Sequence, residues 1–170
     1  MKAYKILVTG TFNAGKTAFV RSASDIDIVT TERRITEPET AQVKEQTTVA
    51  MDYGQTLMGE VLLHLYGTPG QDRFEFMWQI LTVDADVLLV LIDSEDRGSL
   101  MKALQIQRLL RKQVSAPYIV VANKQDSRHA LSLDEIRRLL KLPKEVPVIP
   151  CVAHDRESVR EVLRRTLDVL

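Results

Sequence analysis

Residues Gly10-Thr11-Phe12-Asn13-Ala14-Gly15-Lys16-Thr17 match the pattern G-x-x-x-x-G-K-[ST] in full. The pattern requires a strand before it and a helix after it. Lys5 to Thr9 reads as a buried strand, and Lys16 to Ala23 reads as a helix. Glycines let such a loop wrap its backbone amides around a phosphate, and the helix start favours negative charge. Lys16 is placed to reach β- and γ-phosphate oxygens, and Thr17 to offer its hydroxyl to Mg²⁺. The nucleotide-lining set from this motif is Gly10, Phe12, Asn13, Ala14, Gly15, Lys16, Thr17 and Ala18. No G-x-G-x-x-G is present, so a dinucleotide loop is not a rival.

The rest of the chain alternates strand-like and helix-like segments. Ser24 to Gln46 is polar, rich in Thr, Glu and Arg, and reads as a long loop, functional or mobile. Thr48 to Leu57 and Glu60 to Tyr66 read as strands of a hairpin turning at Met58-Gly59. Arg73 to Leu81 reads as a short helix. Val87 to Ile92 is an uninterrupted apolar run, as a strand covered on both faces should be. Ser99 to Val114 has helical apolar spacing, and Tyr118 to Ala122 is a further buried strand. Ser132-Leu133-Asp134-Glu135 is a capping box opening a helix to about Lys141. Val146 to Val152 is the last strand and Asp155 to Leu167 the last helix. The expected fold is a doubly wound α/β sheet with six strands and about five helices. In such a sheet ligands bind at the carboxyl ends of the strands, where the motifs fall.

Asn123-Lys124-Gln125-Asp126 follows one of those strands. A carboxylate at Asp126 can accept from guanine N1–H and the 2-amino group. Adenine has no such donor pair and would leave the acid unpaired. Lys124 can lay its stem along the base, and Asn123 can tie loops together.

The two motifs together resemble the Ras-like small GTPases, over nearly the whole chain. The resemblance implies a single GTP-binding domain over residues 1–170, with six mostly parallel strands and one antiparallel edge strand, Thr48 to Leu57. It implies GTP or GDP with Mg²⁺ as ligands, Thr17 and Thr48 as metal ligands (Thr47 being the alternative to Thr48), and Gly70 as an amide donor to the γ-phosphate. Gln71 would orient the attacking water, with Lys16 the other catalytic group. Val152 and Ala153 would flank the base, the Ala153 amide reaching guanine O6.

Three departures stand out. Gly67 occupies the place of the family's aspartate in D-x-x-G-Q, and that aspartate normally supports Mg²⁺ through water. Phe12 stands where many relatives carry glycine. Cys151-Val152-Ala153-His154 replaces a Ser-Ala-Lys-like triplet. The run Gly67-Thr68-Pro69-Gly70-Gln71 resembles prokaryotic members, including the gliding-motility (MglA-like) group.

Composition excludes several classes. Lys plus Arg equals Asp plus Glu at 23 each, so nothing suggests broad capture of nucleic acid. One cysteine, Cys151, rules out an internal disulfide and suits the cytoplasm. No leader, lipidation pattern or membrane-length apolar run is read.

The expected activity is slow hydrolysis of the β–γ phosphoanhydride of GTP, by positioning and charge neutralisation. Arg33 and Arg34 would act in cis, or be solvated loop charges. Regulatory or effector proteins would read the switch segments, the polar 24–46 loop and the run from Gly67. Tyr53, Phe74, Phe76 and Trp78 lie in or beside them and would either face a partner or pack the second helix onto the sheet, and the resemblance suggests a roadblock-type partner. The alternative is a guanine-nucleotide-binding interaction module with little hydrolysis. An ATP-using enzyme would require the 123–126 run to be accidental.

Overall fold

The computed structural model describes residues 1–36, 46–68 and 82–170. Its strands are β1 (Lys2–Gly10), β2 (Val29–Thr36), β3 (Gln46–Met58), β4 (Val61–Gly67), β5 (Val87–Asp93), β6 (Tyr118–Asn123) and β7 (Val148–Pro150). Its helices among the described residues are α1 (Lys16–Ala23), α2 (Arg97–Gln113), α3 (Leu133–Leu139) and α4 (Arg156–Leu167).

The strands form one sheet in the order β2-β3-β4-β1-β5-β6-β7. β1 pairs in parallel with β4 and β5, and β6 in parallel with β5 and β7. β3 is antiparallel to both β4 and β2, so among the described strands it alone runs against the rest. Two expectations are corrected here. Among the described residues the sheet has seven strands rather than six, and its edge beside β3 is β2. The segment expected as a loop from Ser24 to Gln46 supplies that strand, its eight residues in register with 46–53 of β3. An edge strand has one solvated side and tolerates the polar run Thr30-Thr31-Glu32-Arg33-Arg34. The helix expected over 73–81 lies outside the described residues.

Side-chain alternation splits the core into two layers. Ile6, Val8, Leu89, Leu91, Ile119 and Val121 face α1 and α4, packing with Phe19, Val20, Val159, Val162 and Leu163. Leu7, Leu88 and Val90 point to the other face, where Ile92, Val120 and Ala122 meet α2 and α3 through Leu100, Leu104 and Ile136. β5 is buried along its whole length, as the unbroken apolar run requires.

The ends of the helices follow local chemistry. Ser132 accepts from the Glu135 amide at 3.2 Å while Glu135 accepts from the Ser132 amide at 2.9 Å, the reciprocal cap read from the sequence. Asp155 caps α4 through the Ser158 amide at 3.1 Å. Asp25, just after α1, accepts from Thr56 and the Leu57 amide and pairs with Arg156, tying α1, β3 and α4. Burial alone would raise the Asp25 pKa, but these partners together with Arg160 hold it below the ordinary carboxylate value.

Candidate functional site

The loop between β1 and α1 is shaped by backbone that side chains resist. Gly10 has φ 144, Asn13 φ 62 and Gly15 φ 96. Gly15 is the N-cap of α1, which begins at Lys16 with no side-chain cap and no acid in its first turn. Its first amides are therefore free to meet an anion. A cavity of about 300 Å³ lies at this end, lined by Phe12 through Ala18 with Thr30, Asp52, Gly67 and Thr68.

Lys16 is 8% exposed, and its ammonium donates to the carbonyls of Gly10 at 3.0 Å and Thr11 at 2.8 Å. Burial lowers its pKa from 10.5 to about 8. Thr17 donates its hydroxyl to Asp52 Oδ2 at 2.6 Å, joining α1 to β3. Phe12 is 73% exposed and lines the cavity.

The loop after β6 abuts the same region. Asn123 is 3% exposed; its side-chain amide donates to the Ala14 carbonyl at 2.9 Å, and its oxygen accepts the Ala153 N–H at 2.8 Å. One carboxamide thus links the loops after β1, β6 and β7. Gly15 is required at that contact, since a Cβ there would lie 2.3 Å from Asn123 Nδ2. Lys124, at φ 65, places its ammonium 2.6 Å from Asp93 Oδ2 at the end of β5. Gln125 holds the loop by donating to Ser94 Oγ at 2.8 Å and the Leu131 carbonyl at 3.0 Å. Asp126 is half exposed, with His154 Nε2 at 3.9 Å.

The structure therefore brings together Gly10, Ala14, Gly15, Lys16, Thr17, Asn123 and Ala153. The Val152 amide donates to Ser158 Oγ at 2.9 Å, and that of Ala153 to Asn123. The Ala153 N–H, expected at guanine O6, donates to Asn123 Oδ1 in this structure. Thr48 lies within β3 opposite Arg34, four positions from Asp52. At about 3.4 Å per residue this is about 14 Å along the strand, so its backbone is not beside Thr17. Arg33 and Arg34 belong to the β2–β3 ladder rather than to a loop. Gly70 and Gln71 lie outside the described residues.

Asp52, Asp93 and Gln125 were missed from the sequence, because their partners lie 31 to 35 residues away. The one signal for Asp52 in the sequence is a lone acid within the run 48–57 that reads as a strand.

The profile of the ADP-ribosylation factor family matches residues 1–170. The chain belongs to the ADP-ribosylation factor family. It is 31% identical to ADP-ribosylation factor-like protein 3 of Chlamydomonas reinhardtii, over 81% of this chain and 72% of that protein. Human ADP-ribosylation factor-like protein 4A is 28% identical, over 99% of this chain and 84% of its own length. The uncharacterized protein MJ1339 of Methanocaldococcus jannaschii is 30% identical, over 72% of this chain and 70% of that one. In fold, this member of the ADP-ribosylation factor family is similar to the Arl6 BBS3 small GTPase of Trypanosoma brucei with the bound nucleotide analogue GppNp. That likeness has a TM-score of 0.73 at 19% identity and covers 98% of this chain and 96% of the other. The broad reading as a small GTPase of the GTP-binding, P-loop kind stands, within this family.

Proposed function

We propose that the chain is a single-domain, cytoplasmic GTPase switch that binds GTP and GDP with Mg²⁺ and hydrolyses GTP slowly. The observation that carries this is the Asn123 carboxamide, which holds the candidate base loop against the phosphate loop. The Lys16 ammonium, now on two carbonyls, would exchange them for β- and γ-phosphate oxygens. The α1 amides would receive the phosphate charge. Asp126 would accept from guanine N1–H and the 2-amino group, with Asn123 and Lys124 framing the base between Val152-Ala153 and the phosphate loop.

The oxygens of Thr17 and Asp52, side by side at the cavity, fit a hard divalent cation. Thr17, and Thr48 once brought to the site, would hold it. When bound, Mg²⁺ neutralises charge on the β- and γ-phosphates. Gly70 would donate to the γ-phosphate and Gln71 orient the water. Regulatory or effector proteins would read the switch segments, a roadblock-type partner among them. Thr68-Pro69-Gly70-Gln71 after Gly67 favours a prokaryotic, gliding-motility-like member, and the M. jannaschii relative supports the prokaryotic part of that reading alone.

Nucleotide extracted from the purified chain should be GDP or GTP. ATP that displaces labelled GTP would overturn the guanine assignment. Phosphate release should exceed buffer and fall in Gln71→Ala. The exposed Phe12 at the cavity favours a second reading, a guanine-nucleotide-binding module with little hydrolysis; no release above buffer would select it.

A further inference from the structure

The family's acid for the Mg²⁺ site is absent at Gly67, yet a carboxylate stands beside that position. Asp52 and Gly67 are directly opposed on β3 and β4. A Cβ built on Gly67 would lie 3.4 Å from the Asp52 Cβ. Both residues line the cavity with Thr17. Met51 points to the opposite face of the sheet, into the cluster with Leu7, Leu88 and Val90, so alternation turns Asp52 toward α1.

We propose that Asp52 supplies the carboxylate of the Mg²⁺ site, from the strand next to the one that carries it in the family. This rests on the guanine-nucleotide reading. Asp52 is a positioning residue in this role. Its Oδ2 takes the hydrogen of Thr17 Oγ1 at 2.6 Å, which leaves the lone pairs of that hydroxyl for a cation. Its charge lies where a hydrated Mg²⁺ is to be balanced, and Mg²⁺ is usually held by one or two carboxylates with several retained waters. The competing role is a plain staple between α1 and β3, in which only the hydrogen bond matters.

The two roles differ at Asn. Asp52→Asn keeps an acceptor for Thr17 and removes the charge. The measurement is release of fluorescent N-methylanthraniloyl-GDP from the full chain across free Mg²⁺ levels, from excess EDTA upward. In the parent, Mg²⁺ slows release with a defined midpoint. Asp52→Ala and Asp52→Asn should both raise that midpoint by about 10–100-fold, the usual cost of losing a group that orients a metal ligand. Adding Gly67→Asp to Asp52→Ala should bring it back toward the parent. The added Cβ meets only ordinary contacts, Val20 Cγ2 and Asp52 Cβ at 3.4 Å, so the replacement fits. The proposal is overturned if Asp52→Asn matches the parent, or if Asp52→Ala speeds release by one factor with and without Mg²⁺. It is also overturned if the double variant is no better than Asp52→Ala. A parent chain that retains no labelled GDP at any Mg²⁺ level sinks the nucleotide reading itself. Retention with a midpoint unmoved by the variants sinks only the role of Asp52.

Discussion

Asn123 donates its side-chain amide to the carbonyl of Ala14 at 2.9 Å, across 109 residues of chain. Its oxygen is held by the Ala153 N–H, and the residue is almost wholly buried. Asn123→Ala strands one buried acceptor and one buried donor. At about 1–3 kcal/mol for each unpaired group, stability should fall by about 2–6 kcal/mol. Urea unfolding measures this, and a variant as stable as the parent would remove the tie.

The Lys16 pKa of about 8 gives two pH effects of opposite sign. Below about pH 8 the cost of the buried charge is present in full. Between about 8 and 10.5 the unfolded chain keeps a proton that the folded one has shed, so stability rises with pH. Phosphate favours the charged ammonium, so binding above about pH 8 must take up a proton. GDP affinity should therefore fall toward tenfold per pH unit there. Titrations from neutral to alkaline pH check this; a flat affinity would show that Lys16 does not meet the phosphates.

Gly10 and Gly59 both have positive φ but differ in surroundings. A Cβ on Gly10 would lie 2.1 Å from the Leu91 carbonyl oxygen, while one on Gly59 meets nothing within 4 Å. Gly10→Ala adds a backbone collision to strain and should cost about 3 kcal/mol or more. Gly59→Ala should cost about 1–2 kcal/mol, from strain alone. Equal losses in thermal or urea unfolding would contradict the close approach of β1 and β5.

Cys151 is buried beside α4, and burial pushes its pKa up to about 11. The thiol is therefore protonated at neutral pH and inert. Iodoacetamide should modify it only in denaturant, as mass spectrometry would show. Rapid labelling of native protein would place Cys151 at the surface.

The phosphate loop and the base loop were legible because each is a local run whose residue types follow from one ligand chemistry. Strands β5 and β6 were legible because burial on both faces leaves an apolar run. β2 was not. Glu32, Arg33 and Arg34 break any apolar alternation, and its strand nature rests on pairing with β3. Val29, Thr30, Thr31, Ile35 and Thr36 carried the available β-branched signal. The sequence suggests that the Lys124 stem lies along the base; it does not show that the charge is anchored by Asp93 from a neighbouring strand. That partner is set by sheet order, which no local pattern contains. The same limit applies to Thr17 and Asp52.

Opposed positions on β3 and β4 point into one volume, so Asp52 and Gly67 are two addresses for a single side chain. A motif search spelled along one strand scores position 67 as a defect. A search spelled across the ladder does not, and chains set aside as degraded switches for a missing acid can be re-examined one strand over.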